Sequence, residues 1–290
     1  MKAKEHIYQT ILGFFLLLIA LAMVVPFLYV IVISFTDASV YESGKFMLWP
    51  EKWSTAAYEL ILSGSGFLNA LKSTLIITFI GTPLSVAVNA GLAYMLSKPI
   101  PGKGFLNKYV MFTMLFSAGM VPNYILFRTL HLTNTIFALI FSGMLSSFNL
   151  FLIKNYFETL PEVIEEAARI DGASNMRTFF SVVLPMSTPV LATVTLYYAV
   201  GYWSNYFAGV MYITDASLKP LQQYMFDLVT QATSLQDTTG SFSDVNQAMN
   251  VSGENIRSAT IVVSTIPILC VYPFLQKYFV KGITIGSVKG

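Results

Sequence analysis

Residues 11–33 read ILGFFLLLIALAMVVPFLYVIVI, 23 consecutive residues without a charge. A bilayer core of about 30 Å takes about 20 helical residues at ~1.5 Å each, so this run can cross it with some tilt. Its apolar core is too long for a signal peptide, and no small-residue cleavage site precedes the polar SFTDAS, so it reads as a retained first helix. Five more runs of spanning length follow, near 70–96, 108–127, 133–153, 186–210 and 258–279. Apolar residues make up 55% of the chain and charged ones 11%, against about 25% charged in ordinary globular domains. Such a chain cannot clothe a water-facing surface. The expected fold is all-α and integral to the membrane: six transmembrane helices in one domain over 1–290, with core spans about 70–279.

Charge sets the expected orientation. With the N-terminus inside, the cytoplasmic segments hold 11 Lys and Arg and the outer segments 6. That is the bias of cytoplasmic loops, and it puts both termini on the cytoplasmic side. The segment 154–185 falls on the same side, and 211–256 becomes an extracytoplasmic loop. A net charge of +2 offers no grip on nucleic acid. The one cysteine, Cys270, lies in an apolar run and is expected to be a small buried hydrophobe, so neither a disulfide nor a cysteine metal site is available. No metal site is expected elsewhere; His6 falls in the N-terminal tail and His131 in a short outer loop.

The segment 154–185 is polar, charged and helix-forming between two apolar runs. Pro161 suits a helix start, and Glu162, Glu165 and Glu166 follow where they complement the positive end of the helix dipole. Ala167, Ala168 and Arg169 favour helix, and Asp171-Gly172 breaks it. A second amphipathic stretch carries Met176, Phe179, Phe180 and Val183, and Pro185 is expected to end it. Two short helices with a sharp bend would project a small apolar knob of Ala167, Ala168 and Ala173, flanked by charge, suited to a groove on a soluble partner. An amphipathic connector lying flat on headgroups is the other reading. Connectors of that kind carry mostly Lys and Arg, whereas this one has five acids against three bases.

The string EAARIDGASNMRTFFSVVLP, from Glu166 to Pro185, resembles the EAA loop of bacterial ABC importer permeases. Matching positions are Glu166, Ala167, Ala168, Asp171, Gly172, Ala173, Phe179, Val183, Leu184 and Pro185. The C-terminal QKYFVKGITIGSVKG is similar to the ending of MalG-like permeases of the carbohydrate-uptake branch, at Gly282, Thr284, Gly286, Val288, Lys289 and Gly290. The resemblance implies a type I importer permease in a bacterial inner membrane, working beside a second homologous permease as a heterodimer. It implies two ATP-binding subunits that use ATP and Mg, and an extracytoplasmic solute-binding protein that delivers a sugar. Glu166 would then lie near a basic residue of the ATPase, the bend at Asp171-Gly172 would form the coupling helix, and the tail with Lys289 and Gly290 would reach between the ATPase subunits.

Two absences bear on mechanism. No G-x-x-x-x-G-K-[ST] phosphate loop occurs; the nearest string, GSGFLNALKST at 64–74, has Leu71 where the second glycine must stand. The chain is expected to bind no nucleotide or other cofactor and not to be an enzyme. At membrane depth the spans also lack the ionisable residues that ion-coupled carriers use as relays, which leaves a carrier relying on backbone groups at a broken helix as the rival. A non-transporting scaffold for a membrane enzyme is a further alternative.

Two faces offer a passage. Thr74, Thr78, Thr82, Ser85 and Asn89 share a face of the second span, where such residues serve helix packing more often than transport. In the fifth span, Tyr198, Tyr202 and Asn205 share a face with Trp203 nearby. Aromatic rings stack on sugars and amides bond their hydroxyls, while the competing reading is an aromatic belt at the interface. The outer segments 34–66 and 211–256 are assigned to docking the binding protein.

Overall fold

The computed structural model describes residues 2–42, 44–45, 47–63, 65–237, 251–267 and 269–270. Among them every regular element is helical, apart from a single antiparallel bridge between Thr36 and Trp53. The chain divides into two compact units, Met1–Phe67 with Met225–Pro267 and Leu68–Tyr224 with Ile268–Gly290.

In the first unit, α1 (Lys2–Ser34) is apolar on all sides from Ile11 onward, and most of its large side chains from Ile11 to Leu28 stand exposed. A soluble helix would show a polar face; one without it belongs in lipid or against another apolar protein. Past Ser34 the chain turns back on itself. Asp37 N–H donates to Lys52 O at 2.9 Å and Ser54 N–H to Phe35 O at 2.8 Å, bringing α2 (Ala56–Ser63) alongside, where Ser34 Oγ meets Tyr58 OH at 2.7 Å. Asn255, in a helix over 253–267, closes the turn by donating to Ile33 O and Thr36 O at 2.7 and 2.8 Å. These bonds satisfy one carbonyl in the last turn of α1, which has no partner within the helix, and one just past its end.

The second unit is organised by α3 (Ser65–Ser97), 33 residues and so about 50 Å long. Its polar face is buried: Thr74, Ser85 and Asn89 are 0% exposed. Thr74 Oγ1 accepts from Leu221 N–H at 2.7 Å, which holds the start of α13 (Leu221–Asp237). The packing reading of this face therefore fits better than the passage reading. Residues 221–237 also turn part of the expected outer loop into helix; 238–250 lie outside the described residues. Around α3, Ile77, Ala90, Ala93 and Leu96 join a core with Leu139, Leu150, Ile153, Val183 and Val194.

Among the described residues, two helices, Tyr8–Ser34 and Gly66–Ser97, are long and apolar enough to cross a membrane unbroken. The expected run 108–127 is instead two helices, α4 (Lys103–Leu115) and α5 (Met120–Thr129), bent by 113°. Gly119 makes the corner with φ 86° and ψ 177°, a region that is essentially glycine's alone. The run 133–153 becomes α6 (Ile136–Phe141) and α7 (Ser147–Phe157), parted by SGMLS at 142–146. The hydroxyls of Thr135 and Ser146 cap these two helices, each accepting a backbone N–H at 3.3 Å.

After α7 come α8 (Glu162–Ile170), α9 (Asn175–Thr178), a π-helical turn Phe179–Val183 and the short α10 (Leu184–Met186). Pro185 does not end this stretch. Its missing N–H and bulky ring are accommodated by the wider π turn before it, and the break comes two residues later at Ser187. There the chain bends 83° into α11 (Thr188–Trp203). The expected run 186–210 breaks again at 204–206 before α12 (Phe207–Tyr212). Of the expected run 258–279, residues 271–279 lie outside the described residues. Cys270 is exposed rather than buried, so its apolar neighbours in sequence do not enclose it.

Candidate functional site

Backbone polar groups freed by a helix break cannot be left in hydrocarbon; they must be buried in protein or face a water-filled cavity. Three breaks of the second unit border one cavity. Ser117 and Gly119 from the α4–α5 corner, Ser142 and Gly143 from the α6–α7 break, and Asn205 from the α11–α12 break line one cavity of about 630 Å³. Its remaining wall comes from Asn123, Asn149, Tyr197, Tyr198, Tyr202, Tyr212 and a few apolar side chains. None of these lining residues is charged. The volume falls within the range of small-ligand sites, about 300–1,000 Å³.

Tyrosines and one asparagine service the α6–α7 break. Tyr202 OH donates to Ile140 O at 2.8 Å, so the hydroxyl of Ser85, also 2.8 Å away, must be the donor between those two. Ser146 N–H donates to Tyr198 OH at 3.1 Å. Asn89 Nδ2 donates to Ser85 O at 2.7 Å and Met144 O at 2.9 Å. Tyr202 lies so close to α3 that a Cβ at Gly81 would come within 2.9 Å of its ring, which only glycine permits. At the third break, Asn205 Oδ1 accepts from Ala208 N–H at 3.1 Å. That fixes the amide and leaves its NH₂ as the group with donors to offer.

Of the four residues expected on a substrate face, Tyr198, Tyr202 and Asn205 come together in the cavity wall. Trp203 is buried at 9% exposure and is not among the lining residues, because one helical step turns it away from its neighbour Tyr202. Sequence reasoning missed the other lining residues at the breaks. Their signal was present as Ser, Gly and Asn clusters inside apolar runs, the pattern of interrupted membrane helices.

The loop over 154–185 forms a second candidate site. α8 ends at Asp171, and Gly172 follows with φ +79°, so the bend falls where Asp171-Gly172 predicts it. Pro161 stands just before the helix, at the N-cap. Glu166 and Ala167 are exposed, while Ala168 and Ala173 are half-buried. The largest exposed apolar groups are others: Val163 is 71% and Ile170 86% exposed. With Ala167 they form an i, i+4, i+7 stripe on one face of α8. In the second stretch the face divides, with Phe179 and Val183 buried and Met176 and Phe180 exposed. Lys289 and Gly290 lie outside the described residues.

Not all the acids of this loop face outward. Glu165 is 8% exposed and pairs with Lys98 just beyond α3. Glu158 pairs with Lys154 at 2.9 Å and Lys103 at 3.1 Å. Burial raises the Glu158 carboxyl pKa, but the hydrogen bonds from Lys154 and Lys103 outweigh it and hold it below the ordinary carboxylate value. Of the five acids, Glu165 is buried and the exposed Glu158 is paired with two lysines, so the headgroup-repelling charge rests mainly on the exposed Glu162, Glu166 and Asp171.

Residues 62–285 match the family described as binding-protein-dependent transport system inner membrane component. The polygalacturonan/rhamnogalacturonan transport system permease protein YtcP of Bacillus subtilis (strain 168) is 38% identical over 288 residues, covering 99% of this chain and 100% of that one. Protein LplC of the same strain is 40% identical over 268 residues, 92% of this chain and 90% of LplC. A chain in the crystal structure of a bacterial ABC transporter involved in the import of the acidic polysaccharide alginate matches with a TM-score of 0.84 and 31% identity, covering 95% of this chain and 98% of that chain.

Proposed function

The chain belongs to the family of binding-protein-dependent transport system inner membrane components, and we propose that it conducts an oligosaccharide through the cavity at its three helix breaks. As a multi-pass permease subunit of an ABC importer, it works by presenting that cavity alternately to the two sides of the membrane. The carrying observation is the chemistry of the cavity wall. Tyr197, 44% exposed, offers a flat ring face to pyranose C–H groups beside the edges of the buried Tyr198, Tyr202 and Tyr212, and Asn123, Asn149 and Asn205 bring amides to an uncharged wall. A polyhydroxylated solute can trade its water for these groups without leaving a buried partner unpaired. Relatives that carry polygalacturonan or rhamnogalacturonan and alginate support a saccharide cargo.

In this reading the chain has no ATPase site and binds no cofactor of its own; ATP and Mg are consumed by two ATP-binding subunits. They dock against α8, with Glu166 close to a basic residue of the ATPase and the stripe Val163, Ala167 and Ile170 in its groove, while the tail with Lys289 and Gly290 reaches between them. A second, homologous permease completes a heterodimer, and an extracytoplasmic binding protein delivers the cargo. Docked ATPases do work on the cavity only if ATP favours one of its two states over the other.

The test is uptake into proteoliposomes with partners added one at a time, using a panel of labelled neutral oligosaccharides and oligogalacturonates. ATP-dependent uptake of a panel member that needs the ATPase subunits is expected. Uptake that persists without any ATPase subunit, or survives Glu166→Lys, would sink the coupling assignment. Transport of only non-saccharide solutes would sink the cargo assignment.

A further inference from the structure

Lys98 follows α3 directly, and its ammonium pairs with both carboxylate oxygens of Glu165 on α8. The pair is largely out of water, with side chains 26% and 11% exposed. Lys98 also sits 4.8 Å above the ring of Tyr94, whose hydroxyl lies 3.5 Å from Glu165. The same ring packs against Phe157 at the end of α7 and Phe179 in the π turn, at 6.2 and 4.8 Å between centroids. Thus α7, α8 and the π turn all meet the last turn of α3.

The other half of that helix stands behind the cavity wall and holds it. Ser85 holds the hydroxyl of Tyr202, and Asn89 holds the carbonyl of Met144 in the α6–α7 break. From Ser85 to Lys98 is about 20 Å of chain with no proline, since Pro83 lies beyond it. A helix is stiff over that length, so a shift of its last turn arrives at Ser85 largely undiminished. An ion pair removed from water adds little net stability over an apolar contact of the same volume, but it fixes geometry, and loss of one partner strands the other.

We propose that Lys98 and Glu165 are positioning residues that lock α8 to α3, so that movement of the partner-facing helix reaches, through Ser85 and Asn89, the Tyr202 ring and the α6–α7 break that line the cavity. The inference rests on the transport reading above. It assigns no contact with ATP or cargo to either residue.

The experiment uses the complete transporter in nanodiscs, with Cys270→Ala and a reporter thiol from Ser142→Cys in the cavity. The rate of maleimide labelling is measured with and without vanadate trapping of ATP. Lys98→Glu and Glu165→Lys should each retain the ATPase subunits and hydrolyse ATP, yet lose at least about fivefold of the ATP-dependent change in labelling rate. The charge-swapped double variant should recover most of it. Single variants that hydrolyse ATP with the full labelling change, or a swap no better than either single, would overturn the proposal. Where a single variant fails to assemble, the neutral pair Lys98→Met with Glu165→Gln decides, since it strands no charge. Assembly with weakened labelling response supports the link, and full response overturns it. Absence of any ATP-dependent change in the protein carrying the reporter alone would strike at the transport reading instead.

Discussion

Tyr202 shows how one side chain can serve both the fold and the site. Its hydroxyl is saturated by Ile140 O and Ser85 Oγ, so only its ring remains for cargo. Tyr202→Phe keeps the ring and strands a buried carbonyl and a buried hydroxyl, which costs about 1–3 kcal/mol. The expected outcome is a lower melting midpoint in detergent with KM for uptake little changed; a large KM rise at unchanged stability would assign the hydroxyl to cargo. Asp37 supports the turn after α1. The Ser39 hydroxyl at 2.6 Å, Lys52 at 2.9 Å and Ser39 N–H at 2.9 Å hold its carboxyl at about 2, against an ordinary 3.8. A depressed pKa means that the stabilisation is present above the unfolded value and is lost as pH falls through the folded one. Asp37→Asn is therefore expected to cost about 2 kcal/mol near neutral pH, with the gap to wild type closing between about pH 4 and pH 2. Melting curves of both proteins across that window provide the check.

At the scale of elements, α8 is informative because its two faces do different things. Glu165 looks inward to Lys98, whereas Val163, Ala167 and Ile170 look outward together. Ile170→Asp puts a charge in the middle of the proposed contact, and a substitution at a well-packed anchor costs about 2 kcal/mol or more of binding. Co-purification of the ATPase subunits should fall by at least about tenfold while the permease itself melts as before; unchanged co-purification would remove the stripe from the interface. The bend at Asp171-Gly172 was legible in sequence because glycine marks it locally. The division between Phe179 and Phe180 was not. The π turn shifts the register of everything after Thr178, and no side-chain periodicity announces a five-residue π turn.

At the scale of the whole molecule, charge bias predicts loop 154–185 inside and the segment after α12 outside. In a Cys270→Ala background, the thiol from Thr159→Cys should react with a membrane-impermeant maleimide only in inside-out vesicles, and that from Ser217→Cys only in right-side-out ones. The reverse pattern would invert the topology and with it the face available to the ATPases. The exposed apolar surface of α1 from Ile11 onward belongs to this scale too, because a stretch apolar on all sides calls for lipid or another apolar surface around it.

Much of this protein follows from its sequence alone. The apolar runs require a membrane, the low charge excludes a soluble fold, and the Lys and Arg asymmetry orients the chain. The string from Glu166 to Pro185 marks the helix-bend-helix loop proposed to face the partner, through local rules of helix starts and glycine stops. Only the tertiary structure decided where the runs break and what those breaks share. Gly119, Ser142-Gly143 and Ser204-Asn205 lie far apart in sequence, and the signals that interrupt each helix do not say that all three meet at one cavity. The pairing of Lys98 with Glu165 is likewise invisible along the chain, because 67 residues separate two charges that only packing brings into contact. Local propensity acts over a helical turn, whereas a cavity and a buried ion pair depend on which distant segments the core draws together.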